Sequence, residues 1–394
     1  MTAVGSASPS VRPPVPVLVL GKGMTALGVI RVLGRRGIPL FVAGAGREIV
    51  TRSRFYRPLP GEPLGVTRGS TNLAEWLQTL DFERMVLLPC SDGWAMAVSQ
   101  LPDGLRSRFP ASVAETSRLV RLVDKGAFGE TLDELGLPHP RTIRLGPAGA
   151  LAGATDEWLR NAFLKPTDSG RFSAEYGVKA VRPSGRAHAA EVVGRARGKG
   201  LELLLQEFIP GPPTHHVFLD GFVDRTGRVC AMFARRRLRM FPSEFGNSTY
   251  MESIPLTEVA AAEETVRRLL SAIGYRGVYS AELKLDARDG VFKLLEVNAR
   301  PWWFVEFAAD CGVDVCEMAR RDALGEDVPV VSRYRVGRRC VYARRDLATR
   351  HGNHAGLATI LASWIGAKHL TFAWDDPKPG FRELTEWTRR KLLR

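Results

Sequence analysis

The sequence lacks any unbroken apolar run of about 18 residues, the minimum for a membrane-spanning helix. Its first residues, Met1 to Pro16, are rich in Ser, Pro and Ala and lack the apolar core of a signal peptide. We therefore predict a disordered segment over residues 1–14, a cytoplasmic location and no membrane partner.

Cysteine is also scarce. The chain has five, an odd number without CxxC spacing, namely Cys90, Cys230, Cys311, Cys316 and Cys340. This pattern disfavours a disulfide framework and a zinc site, and it fits a reducing compartment. No thiolate-stabilising partner is evident near any of them in the sequence, so we do not expect a cysteine nucleophile.

Two common nucleotide-binding motifs are missing or incomplete. The sequence contains no GxxxxGK[ST], which excludes a P-loop. Gly21 and Gly23 follow the first apolar run, but Gly28 comes two positions too late for GxGxxG. The acidic residue that would hold a ribose is missing after Val42. We therefore do not predict NAD binding, since close packing of a helix on a sheet also explains the glycines.

The charge balance is strongly basic, with 56 Lys and Arg against 42 Asp and Glu and a formal net charge of +14. Such an excess is typical of nucleic-acid binding, of an anionic substrate such as ATP or a carboxylate, or of a solvated Arg-rich surface. The basic residues occur in many short runs and not in one stripe interleaved with aromatic residues. The pattern favours the last two interpretations, and we predict no nucleic-acid partner.

The order of apolar runs predicts two kinds of organisation. Residues 15–118 alternate strands and helices, as in a doubly wound α/β domain. Residues 119–330 mix them as in an α+β domain, and residues 331–394 form a basic C-terminal extension with two helices. In the second region we expect helices at Lys125–Leu135 and Leu256–Ile273 and strands at Phe163–Pro166, Leu203–Ile209, Arg228–Arg237, Val278–Asp286 and Val291–Asn298.

The last two of these strands form the strongest signal in the sequence. Alternation places Glu282, Lys284 and Asp286 on one face of the first strand. It places Glu296, Asn298 and Arg300 on one face of the second. An Asp-Gly pair between them predicts an antiparallel hairpin, with Glu282 opposite Glu296 or one position away. The opposite, apolar faces are expected to be buried, and they carry Leu283, Leu285, Leu295 and Val297.

The facing pair Glu282 and Glu296 needs a neutralising partner, because two carboxylates that close repel each other. Carboxylate and amide oxygens are typical ligands of Mg²⁺, so these two residues and Asn298 form a candidate metal site. Arg300 would then offer its guanidinium fork to a phosphate oxygen. The spacing alone also fits a solvated strand face with alternating charges, and this alternative stays open here.

The segment Glu296-Val297-Asn298-Ala299-Arg300-Pro301, preceded by Glu282-Leu283-Lys284, resembles the metal-binding signature of the ATP-grasp superfamily. Further motifs agree in order and spacing over roughly residues 15–330. The resemblance implies a doubly wound preATP-grasp domain followed by a two-lobed ATP-grasp fold. The lid lobe would cover about residues 125–205 and the metal-binding lobe about residues 206–330.

The resemblance also implies a role for each matched residue. The implied contacts are phosphate for Lys125 and Lys165, adenine for Gln206, Glu207, Phe208 and Ile209, magnesium for Glu282, Glu296 and Asn298, and catalysis for Arg300 and Lys284. The implied cofactors are ATP and Mg²⁺, or Mn²⁺ in its place. One motif departs from the family: the lid loop Asp168-Ser169-Gly170-Arg171 has a single glycine, so we expect Arg171 to help in closing it.

The activity that the resemblance implies is ATP-dependent ligation. A carboxylate would be activated as an acyl phosphate with release of ADP, and an amine of an amino acid or peptide would attack it. The alternatives are a carboxylase, a thiol ligase, or a non-catalytic protein that binds nucleotides or nucleic acid. Because both acids, the Asn, both lysines and the Arg are all present, an enzyme is favoured. A homodimer would be in keeping with relatives.

Candidate contacts to the substrates are less specific. Arg235, Arg237 and Arg239 alternate along one strand face, and Trp302 follows Arg300 closely. We predict that these residues contact substrate, although a solvated strand edge and core packing explain the same pattern. The adjacent His215 and His216 are expected in a surface loop outside the site.

Overall fold

The computed structural model describes residues 14–46, 48–61, 69–145, 151–167, 169–351 and 356–392. Apart from Pro14, the predicted disordered segment 1–14 lies outside the described residues, and so does Asp168 of the lid loop. The described chain forms three β-sheets. Within it, every helix is too short or too polar to cross a membrane.

The first sheet has three parallel strands in the order β2-β1-β3. This unit consists of β1 (Val17–Leu20), α1 (Gly23–Arg35), β2 (Leu40–Ala43), α2 (Leu73–Gln78), β3 (Val86–Pro89), α3 (Asp92–Ser99), α4 (Asp103–Arg108), α5 (Thr116–Val123) and α6 (Lys125–Glu134). All four residues of β1 are fully buried, as expected for a parallel strand covered on both faces. The strand order changes direction at β1, so a crevice forms beyond the carboxyl ends of β1 and β3.

The glycine turn after β1 belongs to this crevice. Gly21 has φ +142°, and a Cβ added there would lie 2.9 Å from the Cβ of Cys90. Glycine is therefore required where the ends of β1 and β3 approach each other. This close approach gives Gly21 a packing role.

The second sheet has three antiparallel strands in the order β4-β6-β5. It is built from β4 (Thr142–Arg144), α7 (Asp156–Arg160), β5 (Ala162–Pro166), α8 (Ser169–Tyr176), α9 (Arg186–Gly198) and β6 (Leu203–Glu207). Leu164, Leu205, Phe172 and Val192 lie in a hydrophobic cluster of its own. We call this part of the molecule the lid sheet.

The third and largest sheet has seven strands in the order β11-β10-β7-β8-β9-β12-β13. Its elements are β7 (His216–Val223), β8 (Val229–Phe241), β9 (Asn247–Ser253), α10 (Ala260–Ala272), β10 (Gly277–Leu285), β11 (Phe292–Asn298), α11 (Val305–Cys311), α12 (Val315–Leu324), β12 (Arg339–Val341), α13 (Ala343–Asp346), α14 (Leu357–Ser363), β13 (Lys368–His369) and α15 (Lys378–Leu392). Strands β7 and β9 were not predicted. The helix expected from Leu256 begins as a 3₁₀ turn and becomes α-helical at Ala260.

The C-terminal region contributes to the large sheet as well as supplying helices. Strand β12 pairs with β9 and carries β13 on its other side, which the sequence interpretation of two helices did not anticipate. The five cysteines are all buried and free, as expected from their spacing. The mixed α/β and α+β class is confirmed, whereas the limits of the predicted domains stay predictions.

A buried ion-pair network ties the C-terminal region to the first unit. Arg31 of α1 is fully buried, and its Nε donates to Asp376 at 2.8 Å while Nη1 donates to Glu306 at 3.3 Å. Its remaining N–H groups donate to the main-chain carbonyls of Leu370, Thr371 and Asp376. All the hydrogen-bonding capacity of this guanidinium is therefore used inside the protein.

Candidate active site

The hairpin of β10 and β11 brings the two predicted carboxylates together. Glu282 and Glu296 are direct cross-strand partners, and Ser280 lies opposite Asn298. Residues at such positions have Cβ atoms about 4.5–5.5 Å apart and point to the same face of the sheet. The two carboxylates therefore form one local group, as the alternation in the sequence predicted.

A β-bulge beside this pair changes the orientation of one predicted core residue. Leu283 pairs with Leu294, so Leu295 is the additional residue on β11. Leu294 is fully buried, whereas Leu295 is partly exposed and lines the cavity described next. The expectation that Leu295 packs in the core was wrong, because the alternation was counted through the bulge.

A cavity of about 670 Å³ opens over the hairpin and is lined by residues of the lid sheet, the large sheet and the first unit. The predicted site residues that line it are Lys125, Lys165, Gln206, Glu207, Phe208, Ile209, Arg235, Arg237, Glu282, Lys284, Glu296, Asn298, Arg300 and Trp302. The structure thus brings together groups that are up to 177 positions apart in the sequence. Arg239 is missing from this lining.

Glu282 is held by two donors on neighbouring strands. Its Oε1 accepts hydrogen bonds from Arg237 Nη2 at 2.9 Å and from His216 Nδ1 at 2.8 Å. Burial raises the pKa of Glu282, but the positive charge of Arg237 and the hydrogen bond from His216 outweigh it and hold the pKa well below the usual range. The carboxylate is therefore ionised at neutral pH and fixed in orientation.

His216 is a site residue that the sequence analysis placed outside the site. It is the first residue of β7, and its side chain is only 12% exposed. Burial and the nearby Arg237 lower the pKa of His216 to about 4, so the ring is neutral at pH 7 and Nδ1–H donates to Glu282. An interpretation of residues 216–223 as a strand would have pointed His216 and Phe218 to the same face.

On the prediction that Glu282 is a ligand of Mg²⁺ in an ATP-dependent enzyme, we expect His216→Ala to raise the Mg²⁺ concentration needed for half-maximal ATP turnover by about 10- to 100-fold, because Glu282 would lose one of the donors that orient it. His216→Asn should recover part of the loss, since its amide nitrogen lies near the position of Nδ1. The adjacent His215 bonds to the main-chain oxygen of Leu285, so His215→Ala serves as the control. An unchanged Mg²⁺ requirement in His216→Ala would contradict a positioning role.

Two of the three predicted arginines line the cavity, but both already bind side chains of neighbouring strands. Arg235 forms a buried ion pair with Asp220 at 2.5 Å, and its guanidinium lies 4.0 Å from the centroid of the Phe218 ring. Arg237 donates to Ser248 at 2.8 Å as well as to Glu282. The positive charges of these two arginines therefore mainly offset the negative charges of Asp220 and Glu282.

Arg239 is directed elsewhere. Strand β8 shows register shifts on both sides of this residue, so the alternation that joins it to Arg235 and Arg237 in the sequence is broken. Its Nη2 pairs with the fully buried Asp346 at 2.5 Å, and its guanidinium lies 4.1 Å from the centroid of the Tyr250 ring. The structure thus leaves Arg239 outside the cavity, in a contact with the C-terminal region.

Four lysines surround the cavity. Lys125 donates to the main-chain oxygens of Pro166 and Thr167, at the end of the strand that carries Lys165. Burial and Arg237 lower the pKa of Lys284 to about 8, which leaves it largely protonated at neutral pH. Lys179 was not predicted; burial lowers its pKa, although Glu296 and Glu282 oppose that shift. The cavity is therefore suited to a ligand with several negative charges.

The segment Gln206–Ile209 forms one polar edge of an otherwise aromatic part of the cavity. Phe208 contacts the Arg182 guanidinium at 4.4 Å and the Phe245 ring at 6.3 Å between centroids. Phe163 also packs on Phe245, with ring centroids 4.7 Å apart. We call this part of the cavity, with its three aromatic rings and its polar edge, the aromatic slot; its chemistry fits a purine ring.

Glu207 connects this slot to the hairpin. Its Oε1 forms an ion pair with Arg288 at 2.7 Å, and its Oε2 accepts from the main-chain N–H of Arg141 at 3.1 Å. Arg288 follows β10 and also pairs with the buried Asp286. The end of β6 and the turn of the hairpin are therefore held in a fixed relation.

The donor chemistry of the hairpin fits a hard divalent cation. Glu282 and Glu296 supply paired carboxylates, and Asn298 contributes an amide oxygen beside them. In the described part of the chain, no cluster of three or more His, Cys, Asp and Glu side chains suits a metal ion. Substrate oxygens would have to complete the coordination, which is the usual arrangement for Mg²⁺.

This sequence and its fold were compared with known proteins. No protein-family model matches the chain. Its sequence is 28% identical over 226 residues to the D-aspartate ligase of Enterococcus faecium (strain Aus0004), a match that covers 55% of this chain and 53% of that enzyme. The match therefore spans about half the length of this curated relative.

Solved structures match over a larger share of the chain. The carboxyaminoimidazole ribonucleotide synthase of Aspergillus clavatus, complexed with ATP, matches with a TM-score of 0.61 at 15% identity, covering 83% of this chain and 81% of that protein. The L-amino acid ligase of Bacillus licheniformis matches with a TM-score of 0.54 at 15% identity, covering 79% and 75%. The chain has the ATP-grasp fold. This confirms the fold that the resemblance around Glu296 implied.

The first unit, the lid sheet and the large sheet of this ATP-grasp fold all contribute residues to the cavity. The lid sheet supplies Lys165 and the segment Gln206–Ile209, and the large sheet supplies the carboxylate hairpin. The first unit adds Asp92, the first residue of α3, which lies 3.2 Å from Arg300. Asp92 was not predicted, because nothing in its local sequence indicates a partner that lies 208 positions away.

Proposed function

We propose that the chain is an ATP-dependent ligase that activates a carboxylate as an acyl phosphate, releases ADP and joins the acyl group to an amine of an amino acid or peptide. The observation that carries the proposal is the directly paired Glu282 and Glu296 on one wall of a cavity that Lys125 and Lys165 also line. The likeness to a D-aspartate ligase supports a carboxylate and an amine as the substrates.

The residues of the cavity match what this chemistry requires. A carboxylate is a poor acyl donor, and phosphorylation provides a good leaving group. ATP and a carboxylate are both anions, so cationic side chains must offset their repulsion. We assign Lys125 and Lys165 to the phosphates of ATP, and Lys284 and Arg300 to the anionic groups at the reacting end. All four line the same cavity.

The carboxylate hairpin is the proposed place of the metal. Glu282, Glu296 and Asn298 would hold Mg²⁺ or Mn²⁺, which neutralises phosphate charge when bound. Arg237 and His216 keep the Glu282 carboxylate ionised and oriented for this task. Among the described residues, Glu296 accepts one side-chain hydrogen bond, from Asn298 at 3.3 Å, and can therefore turn toward a cation at small cost.

The aromatic slot is the proposed place of the adenine. Phe163, Phe208 and Phe245 would cover the ring, and the polar edge at Gln206–Ile209 would bind its nitrogen atoms. Closure of the lid sheet on the large sheet would exclude water from the acyl phosphate, which water otherwise hydrolyses. The proposed partners are accordingly small molecules.

The proposal is tested by measuring ADP formation with Mg-ATP across a panel of D- and L-amino acids, D-aspartate included, each offered with amino acids and dipeptides as amine acceptors. We expect ADP release that depends on both substrates, a ligated product in mass spectrometry, and transfer of ¹⁸O from the labelled carboxylate to phosphate. The reaction should be lost in Glu296→Ala.

Three other outcomes of the same assay would contradict the proposal. Release of AMP would contradict the acyl-phosphate route. ADP release that requires bicarbonate but no amino acid would indicate a carboxylase. ATP binding without turnover under any of these conditions would support a non-catalytic nucleotide-binding protein.

A further inference from the structure

The lining of the cavity includes buried polar atoms that form no hydrogen bond among the described residues. Asp92 Oδ1, Arg300 Nε and Trp302 Nε1 are buried and have no hydrogen-bond partner among the described residues. Five side-chain atoms of the described chain have this property, and these three all belong to the lining of the one cavity. Buried polar groups in native proteins are nearly always hydrogen-bonded, so such a cluster requires an explanation.

The position of Asp92 explains why its carboxylate reaches the site. It opens α3 directly after β3, at the crevice where the first sheet changes direction. Ligands of open α/β sheets bind at such crevices. The preceding Ser91 caps the helix by accepting from the N–H of Trp94, so the orientation of the first turn is fixed.

Asp92 and Arg300 present opposite charges side by side. Arg300 Nε lies 3.2 Å from Asp92 Oδ1, and Nη2 donates to Asp92 Oδ2 at 3.3 Å. Nη2 also donates to Asn298 at 2.7 Å, and Nη1 donates to the main-chain oxygen of Pro301 at 3.1 Å. The guanidinium is thereby anchored, while its Nε and the Oδ1 of Asp92 form an ion pair but no hydrogen bond.

A carboxylate and a guanidinium side by side, each with a buried polar atom that makes no hydrogen bond among the described residues, are complementary to a zwitterion. The ammonium and carboxylate groups of an amino acid match this arrangement in sign and in polarity. Trp302 Nε1 is one more donor without a hydrogen bond in the lining of the same cavity.

We propose that Asp92 selects an amino acid as the carboxylate substrate by accepting a hydrogen bond from its ammonium group, next to the carboxylate held by Arg300. The inference rests on the proposed ligase function and adds a specificity-determining residue from the first unit. The bond is charge-assisted, and an acid without the ammonium leaves the buried Oδ1 of Asp92 without a hydrogen bond. We therefore expect the amino group to improve kcat/KM by about 10- to 100-fold.

The test compares each amino acid with the same acid lacking the amino group. The probes are D- and L-aspartate against succinate, and D- and L-alanine against propionate, assayed by ADP formation in wild type and Asp92→Asn. Wild type should favour the amino acid, and Asp92→Asn should favour neither, with the KM for ATP unchanged. Asp103→Asn is the matched control, because Asp103 also opens a helix but is fully exposed.

A purely structural role of Asp92 gives a different result. If Asp92 only holds Arg300 in place, Asp92→Asn lowers kcat for both members of each pair and preserves their ratio, which would overturn the inference. Equal use of aspartate and succinate by wild type would also overturn it, while leaving the ligase function intact.

Failure of the proposed function is recognised separately. If wild type forms no ADP with any carboxylate, the ligase proposal falls, and the inference is decided by calorimetric binding of the same probes in the presence of Mg²⁺ and a non-hydrolysable ATP analogue. Tighter binding of aspartate than of succinate, lost in Asp92→Asn, would then support the ammonium contact. Equal binding would remove it.

Discussion

Glu296→Gln is expected to lower kcat for ATP turnover by about 10²- to 10³-fold, since it removes a negative charge from the proposed metal site without changing the shape of the side chain. The fold should be little affected. The side chain of Glu296 is partly exposed to the cavity and has one side-chain hydrogen bond, from Asn298. We expect a change of at most about 1 kcal/mol in the free energy of unfolding.

Glu282, the cross-strand partner of Glu296, should respond differently to the same substitution. Glu282 offsets the buried charge of Arg237 and accepts a hydrogen bond from His216. Glu282→Gln should therefore reduce both activity and the free energy of unfolding, because a buried guanidinium loses its counter-ion. The two glutamates face each other across one hairpin. Only the Glu296 variant is expected to lose activity while its free energy of unfolding stays nearly unchanged.

Activity alone does not identify the step that is lost, so a second measurement is needed. The affinity for a non-hydrolysable ATP analogue, titrated at increasing Mg²⁺ concentration, should show a weaker metal dependence in Glu296→Gln than in wild type. Glu252→Gln is the matched control, because Glu252 is a partly exposed strand residue of the same sheet that pairs with Arg339 outside the cavity. Wild-type turnover and metal dependence in Glu296→Gln would contradict the proposed metal site.

The carboxylate hairpin could be predicted from the sequence because all of its information is local. Period-2 alternation, an Asp-Gly turn and two apolar faces are contained within about twenty residues, and they led to the pairing of Glu282 with Glu296. Leu295 was wrongly predicted to be buried, because strict alternation does not account for a bulge. A bulge adds one residue to a strand and leaves no clear mark in the pattern of side chains.

Contacts between distant parts of the chain could not be predicted in this way. His216 reaches Glu282 only because β7 lies beside β10, and Asp92 reaches Arg300 only because the first unit packs against the large sheet. Neither pairing depends on a local pattern, so sequence reasoning treated His216 as surface and left Asp92 unassigned. Arg239 shows the converse error, since it shares a local pattern with Arg237 but contacts Asp346 instead.

Arg31→Met is expected to lower the free energy of unfolding by about 3–5 kcal/mol, the usual loss when one partner of a buried ion pair is removed. The guanidinium of Arg31 is fully buried between Asp376 and Glu306. Glu306 would retain Arg35 and Lys368, whereas Asp376 would lose its only cationic partner among the described residues. Three main-chain carbonyls of the C-terminal region would also lose their donor.

Burial, and not charge as such, is the reason for this large effect, and a neighbouring residue provides the control. Arg36 pairs with Asp314 at 2.6 Å, but its side chain is 50% exposed. Arg36→Met should therefore cost less than about 1 kcal/mol. Urea unfolding of both variants, followed by tryptophan fluorescence and circular dichroism, measures the difference. Equal losses in the two variants would mean that the Arg31 network does not hold the C-terminal region to the first unit.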